Sequence, residues 1–251
     1  MVHAGTNEGH PLFKAGRELA KAAANWHRAT LGGGEHLPEG PALLVGNHGL
    51  FGLETPVFFY LVYQQTGRVP VGLADKTVFG APPVKQILEQ LGGVPGTRDN
   101  ALSLLRAGRV VVCYPGGSRE VFKGPERRYA LQWERARGFA RVAIEAQVPV
   151  IPFAGLGVDD TFLNFGHAPL ARRLFGRYAA PLALGLGPLP LPVQLHFRLG
   201  APLLPPPTLD GLERFKVRVQ RSVEQLLGLQ VESSQDAEEG FAHDGAAAQP
   251  A

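Results

Sequence analysis

The stretch PALLVGNHGLFGLETP, residues 41–56, joins a short apolar run to the start of a helix. The segment PALLVGN predicts a buried strand, because it is short, apolar and followed by a glycine-rich turn. Thr55 is suited to cap the helix that follows and Pro56 to begin it, and the pattern extends this helix to about Gln65. A buried strand that leads into a helix is the repeating unit of sheets made mainly of parallel strands.

The same alternation continues along most of the chain. Further strands are predicted at VPVGLAD (69–75), RVVVCYPGG (109–117), VPVIPFAG (148–155) and VQLHFRLG (193–200). Helices are predicted at PPVKQILEQLGG (82–93), DNALSLLRAG (99–108), RGFARVAIEAQ (137–147) and TLDGLERFKVRVQRSVEQLLG (208–228). Asp99 is the expected cap of the second of these helices. We therefore expect an α/β fold with a mixed, largely parallel sheet flanked by helices.

The two ends of the chain differ from this central region. Residues 11–30 predict an amphipathic helix in which Leu12, Leu19 and Trp26 recur at roughly helical spacing, with basic residues between them. Such a helix either lies at a membrane interface or packs on the neighbouring domain. Residues 229–251 contain five acidic and no basic side chains, so they predict a disordered acidic tail. The expected organisation is a helix and loop over 1–34, the α/β domain over 35–229 and the tail over 230–251.

Composition and charge narrow the classes of function. The 251 residues are 45% hydrophobic, and the single cysteine, Cys113, excludes an intrachain disulfide and a cysteine-based zinc cluster. No hydrophobic signal peptide begins the sequence, so we expect a reducing, cytosolic side. Residues 1–228 carry 25 basic and 17 acidic side chains, which suits a phospholipid surface or a phosphorylated co-substrate. Nucleic acid is not expected, because the sequence shows neither RNA-binding aromatic patterns nor zinc-finger spacing.

A segment without formal charge, residues 178–197, follows the three arginines Arg172, Arg173 and Arg177. Its length would suit a membrane-spanning helix, but its four prolines exclude a regular helix across lipid. No acidic residue occurs from 161 to 198. The segment is therefore expected either to touch a lipid surface without crossing it or to cover the sheet as a proline-rich loop.

His48 and Glu54 are the candidate catalytic residues of the opening stretch. Six positions apart, they would not share one face of a regular helix, but Gly49 and Gly52 allow the chain to loop so that the carboxylate reaches the imidazole. The pair would then lie at the carboxyl end of a parallel strand, where α/β proteins place their sites. A carboxylate on one ring nitrogen leaves the other free to act as a base. The alternative is a histidine at a strand end beside a solvated glutamate.

Two further stretches contain groups that suit an anion. Gly116, Gly117 and Ser118 precede Arg119 directly after a predicted strand, and glycine amides beside an arginine can hold an oxyanion or a phosphate. A glycine pair after a strand is also common as a simple turn. Arg98, in the stretch GGVPGTRDN, is a second candidate, although a lone arginine is usually a surface charge. The hydrolase motif Gly-x-Ser-x-Gly does not occur around Ser118.

In their order along the chain, four blocks of this sequence resemble the glycerolipid acyltransferase superfamily, which has the PlsC-like fold. The blocks are GNHGLFGLE, GGVPGTRDN, YPGGSRE followed by the KG of residues 123–124 and by LQWERARGFARVAIEA, and VPVIPFAGLGVDD. The resemblance covers roughly residues 35–205. It points in particular to the branch of diacylglycerol acyltransferase-like enzymes and the acyltransferase part of plant phytyl ester synthases. The domain predicted over 35–229 is then an acyltransferase domain.

The resemblance implies both a reaction and a site. His48 takes the proton of an acceptor hydroxyl, Glu54 orients the imidazole, and the acyl group comes from a thioester of coenzyme A or of acyl carrier protein. Neither a metal nor a cofactor is implied beyond this acyl thioester, which is a co-substrate. Substrate binding falls on Arg98, in the family's phosphate-binding block, and on four residues of the block that shapes the acceptor site, Gly116, Gly117, Ser118 and Arg119.

Two positions depart from the common family pattern. The usual aspartate, five positions after the histidine, is replaced by Leu53, and Glu54 follows it, as in the phytyl ester synthase-like branch. The usual glutamate of the third block is replaced by Gly116, which favours a neutral acceptor such as a diacylglycerol, a monoacylglycerol or a long-chain alcohol.

The resulting expectation is a membrane-associated O-acyltransferase, bound peripherally at the cytoplasmic face, whose partners are membrane lipids and the acyl donor. The alternatives are a lysophospholipid acyltransferase, a lipid esterase or thioesterase, and a lipid-binding protein of the same fold without catalytic activity.

Overall fold

Nine strands form the sheets of the fold, which a computed structural model describes over residues 10–75, 93–187 and 189–229. In chain order they are β1 (Thr30–Gly32), β2 (Ala42–Gly46), β3 (Val71–Ala74), β4 (Gly93–Pro95), β5 (Val110–Cys113), β6 (Val150–Leu156), β7 (Leu163–Asn164), β8 (Ala183–Leu184) and β9 (His196–Leu199). Seven of them make one sheet in the order β1-β9-β6-β2-β5-β3-β4, and β7 pairs with β8 separately. The five neighbouring strands β6, β2, β5, β3 and β4 are parallel to one another. The strand β9 is antiparallel to β6, and β1 is parallel to β9. The predicted mixed, largely parallel sheet is confirmed.

The strand β2 lies in the middle of this sheet. Leu44 is paired with Val112 of β5 on one side and with Ile151 of β6 on the other. The first four residues of β2, Ala42 to Val45, have no exposed surface. A strand buried on both faces is continuously apolar rather than alternating, which is why the run PALLVGN predicts it correctly.

Seven α-helices occupy the described residues, and they are α1 (Pro11–Trp26), α2 (Glu54–Thr66), α3 (Arg98–Arg106), α4 (Ser118–Val121), α5 (Gly138–Ala146), α6 (Pro169–Phe175) and α7 (Leu212–Leu227). The helix predicted over 82–93 lies outside the described residues, apart from Gly93, which begins β4. The predicted acidic tail over 230–251 also lies outside them.

Two predicted helix caps are wrong. The helix α2 begins at Glu54, because Leu53 already has helical angles (φ −70°, ψ −16°), so Thr55 lies in the first turn rather than before it. The helix α3 is capped by Thr97, which has an extended backbone and whose hydroxyl accepts the Asn100 N–H at 3.1 Å. Asp99 therefore lies inside the first turn of α3.

The helices cover both faces of the sheet and form two cores. On one face, α3, α5 and α7 pack with Leu43 and Val45 of β2. On the other face, α2 packs against the sheet, and Phe58 stacks on Phe153 with ring centroids 4.3 Å apart. One strand serves both cores because its successive side chains point to opposite faces. The apolar stripe of α7 faces the first core through five buried residues, Leu212, Phe215, Val219, Val223 and Leu227.

The helix α1 packs on α2 but keeps apolar side chains on its outer face. Phe13 and Ala24 are buried, whereas Leu12, Leu19 and Trp26 are 52%, 71% and 42% exposed. Trp26 Nε1 donates a hydrogen bond to the carbonyl of Pro190 (3.2 Å), so the end of α1 lies beside the uncharged segment 178–197. Among the helices of the described residues, none has the length and apolar character to cross a membrane.

Candidate active site

Asn47 anchors the end of β2 to the neighbouring strand β6. Its side-chain amide donates to the carbonyl of Gly155 (3.0 Å) and accepts from the N–H of the same residue (2.8 Å). This double hydrogen bond fixes the chain just before His48. The carboxyl edge of the parallel strands, where His48 follows, is also where α/β folds form their sites.

The turn after β2 brings His48 and Glu54 into direct contact. His48 Nδ1 lies 2.5 Å from Glu54 Oε1, and the same oxygen accepts the N–H of Gly49 at 3.0 Å. The Glu54 side chain is 2% exposed and the His48 side chain 15%. Among the residues described, none hydrogen-bonds to His48 Nε2, so this ring nitrogen is the one available to a substrate.

Glu54 is held as a carboxylate in spite of its burial. Burial by itself raises the pKa of this carboxyl group, but the charge of His48 and the hydrogen bonds from His48 and Gly49 outweigh that effect and place the pKa below its ordinary value. A carboxylate beside Nδ1 fixes the tautomer that carries its proton there and leaves a lone pair on Nε2. The pair therefore has the arrangement of a general base and its orienting group.

Gly49 and Gly52 are required by close packing as well as by the turn itself. A Cβ atom on Gly49 would lie 2.9 Å from Glu54 Oε2 and 2.8 Å from the Cβ of Val158. A Cβ atom on Gly52, whose φ is +68°, would lie 2.9 Å from Cε1 of His48. A side chain at either position would push the carboxylate or the ring away from its partner.

The imidazole of His48 lies flat against a second ring. It stacks on Tyr114 with centroids 4.0 Å apart and an interplanar angle of 13°, and Phe153 meets Tyr114 edge-on. Thr55 Oγ1 donates to the Tyr114 hydroxyl at 3.3 Å. Burial raises the pKa of Tyr114 well above its ordinary value, so the phenol stays neutral. Sequence reasoning did not identify Tyr114, although it stands two residues before Gly116.

A buried chain of charges holds the backbone of His48. Glu120 Oε2 accepts the His48 N–H at 2.8 Å, and Lys123 Nζ donates to the His48 carbonyl at 3.0 Å. Lys123 also forms an ion pair with Asp159 (2.7 Å), in which each side chain is 3% exposed. Burial raises the pKa values of Glu120 and Asp159, and the positive charge of Lys123 opposes both shifts. Sequence reasoning missed all three residues, because nothing in their local sequence shows that they are buried.

The glycine block forms a tight turn between β5 and α4. Gly117 has φ +50° and ψ −134°, and its N–H donates to the carbonyl of Tyr114 at 3.0 Å. The N–H of Arg119 donates to the carbonyl of Gly116 at 3.2 Å, so these two amides are used within the turn. Ser118 begins α4, the short helix that carries Glu120 to the His48 backbone. The block therefore lies next to the pair formed by His48 and Glu54.

Arg98 is not brought to this cluster. It begins α3, and its guanidinium lies 2.6 Å from Glu145 of α5 and 3.4 Å from Asp99. No contact with His48, Glu54 or the glycine block is present among the described residues. Its role in binding phosphate stays a prediction.

A cleft of about 400 Å³ lies beside the His48 loop, with Leu50 and Lys123 in its wall. Phe162 and Leu163 add further apolar surface. Two cations line the cleft; Lys123 pairs with Asp159, and Arg128 pairs with Asp160. The described residues include no group of three or more His, Cys, Asp or Glu side chains that could hold a metal ion.

Comparison with known proteins gives the family of the chain. The model of the family described as "Acyltransferase" matches residues 28–155, which include His48, Glu54 and the glycine block. The mouse protein named "DGAT1/2-independent enzyme synthesizing storage lipids" is 31% identical over 205 residues, which is 82% of this chain and 61% of the relative. Its human counterpart is 32% identical over 206 residues, 82% of this chain and 62% of the relative. The chain therefore spans about three fifths of the length of these relatives.

A solved structure has the same fold. The crystal structure of PlsC, the 1-acyl-sn-glycerophosphate (LPA) acyltransferase of Thermotoga maritima, superposes with a TM-score of 0.55 and 19% sequence identity. The match covers 88% of this chain and 81% of PlsC. At 19% identity the similarity to PlsC establishes the fold alone. The family is established by the family model and by the relatives that are 31–32% identical. On both grounds the chain belongs to the acyltransferase family and has a PlsC-like fold.

Proposed function

We propose that this acyltransferase moves a fatty acyl group from an acyl thioester, carried by coenzyme A or by acyl carrier protein, to the hydroxyl of a lipid alcohol. The contact of His48 with Glu54 beside the cleft is the observation that carries this proposal. His48 Nε2 takes the hydroxyl proton as the oxygen attacks the thioester carbonyl. The tetrahedral intermediate then expels the thiolate, which receives the proton from the imidazolium. An ester and a free thiol result.

The acceptor is proposed to be a neutral lipid alcohol, such as a diacylglycerol, a monoacylglycerol or a long-chain alcohol. Each cation in the described wall of the cleft is already paired with a carboxylate, which leaves little attraction for an acceptor phosphate. The names of the mouse and human relatives, which refer to storage lipids, agree with this choice. The replacement of the family's glutamate by Gly116 no longer supports a neutral acceptor, because Glu120 supplies a carboxylate in the same place.

Arg119 is the proposed contact for a phosphate of the acyl carrier. It is partly buried and directly precedes Glu120, and its guanidinium forms no ion pair with any described residue. The phosphopantetheine arm that coenzyme A and acyl carrier protein share carries a phosphate at the end opposite the thioester. An arginine without a carboxylate partner is suited to bind it.

A transfer assay tests the reaction and the acceptor together. The full chain in detergent would be incubated with labelled acyl-CoA or acyl-ACP and with equal amounts of diacylglycerol, monoacylglycerol, a long-chain alcohol and lysophosphatidate. We expect ester products of the neutral alcohols to exceed the lysophosphatidate product. A predominance of phosphatidate would reverse the choice of acceptor, and release of free fatty acid in place of esters would indicate a thioesterase.

The same acyltransferase is proposed to bind membranes peripherally, at the cytoplasmic face. Residues 163–187 and 189, called here the lipid-contact surface, carry large apolar side chains that are each more than half exposed, namely Leu163, Phe165, Leu170, Leu174, Phe175, Leu182, Leu184, Leu186 and Leu189. Arg172 and Arg173 are exposed on α6 among them. Apolar side chains would enter the interface while the arginines meet lipid phosphates, and cytoplasmic leaflets are rich in anionic lipid. Leu163 belongs both to this surface and to the cleft, so a lipid could pass between them.

Vesicle flotation tests this surface. With anionic vesicles the protein should float, binding should weaken with salt, and an apolar component should persist at high salt. Replacing both Arg172 and Arg173 by alanine should weaken binding about 30-fold, at about 1 kcal/mol for each basic residue. Leu174→Asp should weaken it further, while Leu204→Asp, at a leucine 70% exposed outside this surface, is the matched control. Protein that stays at the bottom with anionic vesicles at low salt would contradict peripheral binding.

A further inference from the structure

The side chain of Glu120 occupies the space that a side chain at position 116 would need. The resemblance places a glutamate where this chain has Gly116, yet the side chain of Glu120 fills the volume that a residue at 116 would need. A Cβ atom on Gly116 would overlap Cδ, Cγ and Oε1 of Glu120, far inside the 3.0 Å that real Cβ contacts respect. A carboxylate is therefore retained at this place, but it comes from four residues further along, within the first turn of α4.

The contacts of Glu120 show what this carboxylate does. Its side chain has no exposed surface, and its oxygens accept three N–H groups. Oε1 accepts from the backbone of Gln132 (2.9 Å) and from Trp133 Nε1 (2.8 Å), and Oε2 accepts from the backbone of His48 (2.8 Å). Gln132 and Trp133 are themselves buried, so they hold the carboxylate in place relative to the core. The position of the His48 backbone is thereby tied to the core through one side chain.

Lys123 completes the clamp from the other side of His48. Its ammonium group donates to the His48 carbonyl at 3.0 Å and is held by Asp159 at 2.7 Å. Asp159 in turn accepts the backbone N–H of Tyr129 at 2.6 Å. Both polar backbone groups of His48 are thus bound by buried, oppositely charged side chains. Neither Glu120 nor Lys123 hydrogen-bonds to the imidazole; their hydrogen bonds with His48 are both to its backbone, and the charge of Glu120 also interacts with His48 electrostatically.

We propose that Glu120 is a positioning residue for His48, and that it has taken this place in exchange for the glutamate at position 116. The effect of Glu120 on catalysis rests on the proposed function. The overlap between Glu120 and a side chain at position 116 does not depend on that function. A shift of a catalytic group by about 1 Å can cost about 10²-fold in rate. Loss of the Glu120 clamp should therefore lower kcat more than it changes KM, because the base moves while the cleft stays.

The first test replaces Glu120 by glutamine, which keeps the size but turns an amide NH₂ toward N–H donors. We expect kcat to fall by about 10–10²-fold with KM changed less than about threefold. Glu126→Gln, at an exposed glutamate of the same segment, is the matched control and should keep kcat within about twofold. A Glu120→Gln variant with kcat within about twofold of the parent would overturn the positioning role.

The second test exchanges the two positions and reads stability as well as activity. Gly116→Glu alone should lower the Tm or prevent folding, because its side chain collides with Glu120. Glu120→Ala alone should also lower the Tm, since it leaves three buried N–H groups without an acceptor. The double variant Gly116→Glu/Glu120→Ala should be more stable than Gly116→Glu and should regain part of the kcat lost in Glu120→Ala.

The outcomes separate this inference from the proposed reaction. A double variant no more stable than Gly116→Glu would contradict the claim that side chains at positions 116 and 120 compete for the same space, whatever its activity. A parent chain without acyl transfer to any alcohol would count against the proposed function, while the Tm comparison would still decide the exchange.

Discussion

Replacement of His48 by alanine is expected to lower kcat for acyl transfer by about 10²–10⁴-fold, the usual contribution of a general base. His48 Nε2 is the nitrogen available to the acceptor hydroxyl, whereas Nε2 of His167, near the same segment, is bound to the carbonyl of Phe122 at 2.8 Å. The fold should persist, because the backbone of residue 48 keeps its contacts with Glu120 and Lys123 in the variant. The variant and the parent would be compared in the labelled transfer assay, with Tm measured for both.

His36→Ala is the matched control for this prediction. Nδ1 of His36 is bound to the carbonyl of Leu199 at 3.1 Å, away from the cleft, so this variant should keep kcat within about twofold. A His48→Ala variant that transfers acyl groups at the parent rate would contradict the proposed mechanism, even though the chain would still belong to the acyltransferase family.

The central strands could be predicted from the sequence because their environment is uniform. β2, β5 and β6 are buried on both faces, and each appears as an unbroken apolar run. The edge strands β1 and β4 were not predicted. Each has three residues, too few to show a period, and it is defined by pairing with a neighbour rather than by its own side chains.

The site could be predicted where its residues are close in sequence. His48 and Glu54 are six positions apart, and the turn between them is short enough for the contact to follow from spacing. The glycines of this turn were explained by flexibility alone, whereas the structure shows that their missing side chains make room for the ring and the carboxylate. Packing of this kind has no signature in local sequence.

The residues that bind the backbone of His48 come from a distant part of the chain. Glu120 and Lys123 are separated from His48 by 72 and 75 positions. Both were within blocks that pointed to the family, but a charged residue next to a glycine turn is normally on the surface. Only the three-dimensional arrangement shows that these side chains are buried and that their charges are used inside the molecule.

Replacement of Glu54 by glutamine is expected to lower kcat by about 10²-fold, less than the loss in His48→Ala. Nε2 would still be present, but the variant would lack the charge that stabilises the imidazolium formed during transfer. The glutamine also brings an NH₂ group to a place where His48 and the Gly49 N–H both need an acceptor. Part of the population would therefore hold the wrong tautomer, with the proton on Nε2.

The same substitution has a predicted pH signature in stability. The pKa of Glu54 is lowered in the folded protein, so its contribution is fully present above the unfolded value of about 4.3 and is lost as the pH falls through the lower folded value. Urea unfolding should show Glu54→Gln less stable than the parent at pH 7, with a smaller difference below about pH 4. Glu39→Gln, at an exposed glutamate before β2, should show no such convergence. A stability difference that stayed constant from pH 7 to pH 3, together with an unchanged kcat, would mean that Glu54 does not act as the charged partner of His48.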